Sequence, residues 1–351
     1  TEHCQTWVSH PMELLACNRP SAPLRVKSQQ TERPGVWSEG IPGVLLQRSV
    51  GAVLALSAGR LGAWRSRSRK HRVPCSVVEA AAHFPEDYTV FSSQRMNDKE
   101  ILHNIKERHG WTPQDKGANG NCLFLSMALQ VQPEDLKDIP SRSLRWEKLF
   151  GGDLAERWKD MRITERALLL RQMAILDEDE FIAELQALRD GGQLTPQDEW
   201  RMRELFTDML EEFVGTNKHG LASGVMGWDL QGIYKRVRQL VSEYTPDQVY
   251  DFVLAHAQEY MEITGTEGNW AGSSEMAALS SVLKRPVLAF GNNNVTQDEV
   301  KIKEVEDGGQ EVLPYFEARC FDEARGEAIR VFQVNGGGHY QMLADQQMVD
   351  G

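Results

Sequence analysis

Apolar residues recur at helical spacing in two stretches that each begin with a complete capping sequence. Thr195 precedes Pro196 and an acid at the third helical position, a pattern typical of a helix start. The helix that follows is predicted to bury Leu205, Phe206, Met209, Leu210 and Phe213. Thr245 and Pro246 repeat the pattern ahead of Val249, Phe252, Val253, Tyr260 and Met261.

Shorter apolar runs predict the rest of the folded part. Residues 123–131 and 276–283 predict buried helices, and residues 286–290 predict a strand. Two β-rich runs, 329–334 and 339–343, flank Asn335 and three glycines, which predicts a β-hairpin. Helices followed by a hairpin around a small sheet indicate an α+β or mixed α/β fold.

Charge divides the chain into two unequal parts. The net charge of the 351 residues is −12, but residues 1–78 carry 11 Lys and Arg against 4 Asp and Glu. The other 28 Lys and Arg and 47 Asp and Glu lie in residues 79–351. We therefore predict a basic, disordered N-terminal segment at 1–78 and a folded domain at 79–351, whose acidity disfavours nucleic-acid binding.

The N-terminal segment leaves three interpretations open. Residues 65–72 are rich in Arg and Ser and poor in acids, which is typical of an organelle transit peptide. The same run also fits a nuclear-localisation or nucleic-acid patch, or a solvated tail. Localisation is thus predicted as the cytoplasm, with a plastid, a mitochondrion or the nucleus as alternatives.

The five cysteines favour a reducing compartment, because they are scattered and odd in number. The sequence has no Cys-x-x-Cys pair and no His-x-x-x-His pair, so we expect neither a metal nor an organic cofactor. The longest apolar stretch is about half of the ~18 residues that span a bilayer, so no membrane span is expected.

Two residues are candidates for nucleophilic chemistry. Cys122 follows a Gly-containing turn and opens an apolar helix, where the helix dipole and free N–H groups favour a thiolate and an oxyanion hole. His339 follows three glycines on a predicted strand and suits a general base. Taken singly, each also fits a structural role, as a buried thiol and as an exposed hairpin histidine.

Together, three blocks resemble a known family. Residues 119–124 (Asn-Gly-Asn-Cys-Leu-Phe), residues 270–276 (Trp-Ala-Gly-Ser-Ser-Glu-Met) and His339-Tyr340 resemble, in order, the signature blocks of the ovarian-tumour (OTU) family of cysteine proteases. The resemblance covers about residues 95–348. It implies a papain-type fold with a small central sheet flanked by helices, Cys122 as nucleophile and His339 as general base. Trp270 and Glu275 would be structural.

The resemblance also implies an activity and its partners. The expected reaction is thiol-dependent hydrolysis of isopeptide or peptide bonds at the C-terminus of ubiquitin or a ubiquitin-like modifier. Two departures keep a catalytically impaired ubiquitin-binding module as the alternative. Asn119 replaces the Asp that is usual in the family, and it can still hold the oxyanion loop. Gln341 occupies a position where Asn or Asp is common, and its side-chain carbonyl can orient His339.

The spacing between Cys122 and His339, 217 residues, exceeds that of compact family members, and the excess lies at about 134–227. Residues 150–215 hold 16 Asp and Glu against 8 Lys and Arg on amphipathic patterns, which predicts an inserted helical subdomain. Its acidic side chains either attract the basic tail of ubiquitin or form an ordinary solvated helical face.

Overall fold

The computed structural model describes residues 91–117, 120–189, 192–225, 229–292, 299–306, 308–321, 324–334 and 337–345. The predicted N-terminal segment, residues 1–78, lies outside these ranges, and so does Asn119. No helix within these ranges has the length and apolar character needed to cross a membrane.

Most of the described helices lie between the second and third described strands, and the other described strands follow the last helix, except for the first strand. The strands are β1 Phe91–Gln94, β2 Trp111–Gln114, β3 Val287–Gly291, β4 Val300–Glu304, β5 Gln310–Val312, β6 Phe316–Ala318, β7 Ile329–Val334 and β8 His339–Asp345. The α-helices are α1 Asp98–His109, α2 Cys122–Ala128, α3 Leu144–Phe150, α4 Leu154–Asp160, α5 Ile163–Arg189, α6 Pro196–Gly215, α7 Leu230–Glu243, α8 Pro246–Thr264 and α9 Ser273–Leu283. Two short 3₁₀ turns, Pro133–Leu136 and Ile139–Ser141, lie between α2 and α3.

The strands form two small sheets. The larger sheet has the order β2-β8-β7-β3-β6, and the smaller has the order β1-β4-β5. β3 and β7 pair in parallel, and every other described pair is antiparallel. The fold is therefore mixed α and β, consistent with the predicted α+β class.

The larger sheet is buried on both faces because its central strands alternate between two cores. Ile329 and Val331 of β7 pack with α2, α5 and α9, whereas Phe332 packs with α1 and with the smaller sheet. This double burial fixes the register of β7 and β8, since a shift of one residue would exchange the two faces.

The predicted insertion is helical throughout most of its length. Helix α5, 27 residues long, joins two cores: Leu170 and Met173 pack beneath the sheet, and Phe181 and Leu185 pack with α6, α7 and α8. The second core does not end at residue 227, because α7 and α8 continue it to Ile263.

The local predictions for helices and turns are confirmed. Oγ1 of Thr195 accepts the Asp198 N–H at 3.2 Å, and Oγ1 of Thr245 accepts the Gln248 N–H at 3.4 Å. The predicted hairpin is β7 and β8, with Val334 opposite His339.

Candidate active site

The turn before α2 sets the position of Cys122. Gly120 has φ +76°, and a Cβ there would lie 1.9 Å from the carbonyl oxygen of Gly268. Glycine is thus required twice, for the left-handed backbone and for the close approach of the 268 segment. Because the first turn of α2 follows directly, Cys122 is the first helical residue.

Arg171 of α5 holds this turn in place through hydrogen bonds. Its buried guanidinium donates to the carbonyl oxygen of Gly120 and to Oδ1 of Asn121, both at 2.8 Å, and to the carbonyl oxygens of Thr264 and Asn269. Several acceptors that would otherwise be buried without a donor are satisfied by one side chain. The insertion therefore supplies the support on which the Cys122 turn rests.

Cys122 is buried and lies against the backbone on both sides of His339. Cys122 is 5% exposed. The Tyr340 N–H donates to Sγ at 3.4 Å, and the Gly338 carbonyl oxygen lies 4.0 Å from Sγ. The structure thus brings together the two candidates that the sequence separates by 217 residues.

The thiol is not primed by its surroundings, contrary to the expectation from the helix dipole. Burial raises the pKa of the Cys122 thiol, because it disfavours the thiolate. The N–H groups of Tyr340, Leu123 and Cys122 itself oppose this rise without cancelling it. A seven-residue helix with no side-chain cap supplies too little stabilisation to reverse the effect of burial.

His339 begins β8 and faces a carboxylate that the sequence had not singled out. Its Nε2 lies 3.1 Å from Oδ2 of Asp115, within ion-pair range, although the ring nitrogen is not aligned for a hydrogen bond. Nδ1 of His339 is buried and has no hydrogen-bond partner among the described residues.

Asp115 is held in place by its own turn. Its Oδ1 accepts the Gly117 N–H at 2.8 Å, which holds the pKa of Asp115 below its usual range, and His339 and Gln341 add to this lowering. Gln341 thus reaches Asp115, and its role toward His339 stays a prediction, as does the role of Asn119. The sequence feature that could have pointed to Asp115 is its position, directly after β2 and a few residues before the Cys122 turn.

Trp270 and Glu275, for which structural roles are expected, differ in exposure, and Trp270 is 45% exposed. The Trp270 ring lies 3.3 Å from where a Cβ on Gly338 would stand, so it packs over the turn before His339. Glu275 is fully buried and accepts the Gly272 N–H at 2.7 Å and the Tyr260 hydroxyl at 2.9 Å.

A cavity of about 270 Å³ opens beside the thiol. Cys122, Trp270 and Gly338 belong to its lining, and so do three acidic residues of α6. These acids are Asp208, Glu211 and Glu212. Part of the acidic insertion therefore lines the same cavity as the candidate nucleophile.

Burial disfavours the ionised form of these cavity-lining acids. Burial, with Glu204 and Glu275 nearby, raises the pKa of Glu211 to about 8. Burial, with Glu275 and Glu211, also raises the pKa of Asp208, although Asp208 accepts the Ser274 N–H at 2.7 Å. A cation that entered the cavity would restore the charge of these groups.

Comparison with known proteins identifies no family for this chain. No family model matches it, and no curated protein matches its sequence.

Proposed function

We propose that the chain is a thiol-dependent deubiquitinase of the OTU type. It would hydrolyse isopeptide or peptide bonds at the C-terminus of ubiquitin or a ubiquitin-like modifier. The observation that carries the proposal is the contact of Cys122 Sγ with the backbone on both sides of His339, whose ring faces Asp115. A nucleophile, a base and an orienting carboxylate are the parts that acyl transfer needs.

The first half of the reaction forms a thioester. His339 takes the thiol proton at Nδ1, and the sulfur of Cys122 attacks the carbonyl carbon of the modifier's C-terminal residue. The tetrahedral oxyanion collapses, the carbon–nitrogen bond breaks, and His339 returns the proton to the leaving lysine amine.

The second half releases the modifier. His339 removes a proton from a water molecule, and the resulting hydroxide attacks the thioester carbonyl carbon. The carbon–sulfur bond breaks, His339 returns the proton to the sulfur of Cys122, and the modifier leaves as a carboxylic acid that ionises in water. Throughout, Asp115 orients the ring and stabilises the imidazolium, a function for which its lowered pKa keeps it ionised.

The cavity supports a substrate with an extended, basic end. Cys122 lines the cavity, and Asp208, Glu211 and Glu212 provide carboxyl groups there for a cationic side chain. A basic modifier tail fits this wall better than an acidic or apolar peptide does.

One observation favours a second candidate, a catalytically impaired ubiquitin-binding module. Burial raises the pKa of Cys122, so the resting thiol is mostly protonated at neutral pH. Such a site would bind the modifier tail without cleaving the bond.

The test is incubation of the full chain with ubiquitin that carries a thiol-reactive electrophile at its C-terminus, read by intact mass. We expect one covalent adduct that is lost in Cys122→Ala and slowed at least tenfold in His339→Ala. Cys320→Ala, which removes another buried free thiol, is the matched control and should react like the parent protein.

Three other outcomes separate the alternatives. Reaction with a ubiquitin-like modifier probe alone would keep the mechanism and change the substrate. Binding of unmodified ubiquitin without any adduct would support the impaired module. A folded protein that neither reacts with nor binds any modifier would overturn both.

A further inference from the structure

A group of side chains away from the cavity has the composition of a metal site. His219 follows α6, and His256 and Glu259 lie three residues apart on α8. One ligand atom from each lies within 4.8 Å of the other two. We propose that His219, His256 and Glu259 bind a zinc ion, with water completing the tetrahedron.

The backbone brings His219 to the helix face that carries the other two ligands. Asn217 and His219 have φ of 55° and 54°, in the left-handed region that side chains rarely adopt. The Lys218 N–H donates to the Phe213 carbonyl oxygen at 2.7 Å and closes the end of α6. The sharp turn directs the His219 ring toward α8.

The two oxygens of Glu259 have separate partners. Oε1 accepts a hydrogen bond from Lys218 Nζ at 2.7 Å, whereas Oε2 lies 2.8 Å from Nε2 of His219. Lys218 therefore fixes the carboxylate and leaves Oε2 on the side of the histidines. Metal-bound carboxylates and histidines are commonly oriented by such outer contacts.

The two imidazoles lie next to each other and pack against aromatic rings. Their ring centroids lie 4.3 Å apart, and Phe213 and Phe252 pack edge-on or tilted against them. Two imidazoles and one carboxylate form a donor set typical of zinc with an open position.

This site would brace the cavity without belonging to it. The end of α6 contributes Glu212 and Thr216 to the cavity lining, and α8 contributes Tyr260 and Thr264. A zinc ion bound between α6 and α8 would hold these two walls at a fixed separation. The proposal does not depend on the deubiquitinase activity.

The experiment is a zinc titration of the full chain, with accessible thiols alkylated beforehand, against a chromophoric zinc indicator. We expect His256→Gln and Glu259→Gln each to weaken the site at least tenfold, so that one equivalent of tightly bound zinc is lost. His103→Gln, which changes an exposed histidine on α1, should bind zinc like the parent protein.

A second readout keeps the result independent of folding. Zinc should raise the thermal midpoint of the parent protein and of His103→Gln, but not that of the two ligand variants, whose circular dichroism should be unchanged. The proposal is overturned if the parent protein binds no zinc at micromolar concentration. It is equally overturned if both ligand variants retain the full stoichiometry and affinity.

Discussion

Asp115 and His339 meet because β2 and β8 are neighbouring antiparallel strands. Gln114, the last residue of β2, lies opposite Met342, so the chain leaves β2 beside the start of β8. The carboxylate of Asp115 then reaches to 3.1 Å from Nε2 of His339. A segment upstream of Cys122 thus places a carboxylate beside His339, while Gln341 follows His339 on its own strand.

Asp115→Asn should lower the rate of ubiquitin cleavage by about 10²–10⁴-fold, because the amide cannot stabilise the imidazolium. Gln341→Leu should have a smaller effect, since its side chain acts through Asp115. The measurement is cleavage of a fluorogenic ubiquitin substrate. Asp160→Asn, at another exposed acid, is the control.

The thermal midpoint of Asp115→Asn distinguishes a loss of catalysis from a folding defect. The Asp115 side chain is 54% exposed, so its ion pair adds little to stability and the thermal midpoint should stay within error of the parent protein. Equal rates for Asp115→Asn and the parent protein would show that Asp115 takes no part in the reaction.

Gly120→Ala should destabilise the protein by more than the strain of a positive φ alone would cause. Gly110 has a similar φ, +70° against +76°, but a Cβ on Gly110 meets nothing within 4 Å. Gly110→Ala should therefore cost about 1–2 kcal/mol in the free energy of unfolding. Gly120→Ala should cost about 3 kcal/mol or more, because the Gly268 carbonyl must move.

Urea unfolding and probe labelling test this pair of variants. Only Gly120→Ala should lose labelling of Cys122 under conditions in which both variants are folded. Equal stability losses would mean that the contact between the Gly120 turn and the 268 segment does not exist in solution.

Alkylation of Cys122 by iodoacetamide should titrate at a higher pH in the folded chain than in the urea-unfolded chain. Burial raises the pKa of this thiol in the folded state, and unfolding removes the burial. Peptide mass mapping assigns the label to Cys122. His339→Ala should leave the midpoint unchanged; a folded midpoint below the unfolded one would instead reveal a thiolate stabilised by His339.

Stability should fall as the pH rises from about 5 to 8. Glu211 has a pKa of about 8 in the folded chain against an ordinary value of 4.5, so the folded state holds a proton that the unfolded state has released. The resulting stability is present below pH 4.5 and is lost as the pH rises through about 8.

Glu211→Gln should reduce this pH dependence by at least about 1 kcal/mol between pH 5 and pH 8. Urea unfolding at several pH values measures it, and Glu199→Gln, at an exposed position of the same helix, should keep the slope of the parent protein. An unchanged slope in Glu211→Gln would show that Glu211 ionises normally.

The features that the sequence predicted well are those encoded by neighbouring residues. The caps at Thr195 and Thr245 and the hairpin of β7 and β8 each depend on a few consecutive positions. Asp115 was missed because its role arises from the pairing of strands more than 200 residues apart. The pKa of Cys122 was misjudged because burial by β8 is a tertiary effect that outweighs the local helix dipole.

The burial of Cys122 against β8 determines when its surroundings form during synthesis of the chain. β8 lies between β2 and β7, and it carries His339 and Tyr340, whose N–H donates to Sγ. A ribosome that has finished α9 has already produced Cys122 but has not yet produced His339. Under the proposed function, the thiol and its base therefore come together only when the sheet is complete, after most of the chain has been synthesised.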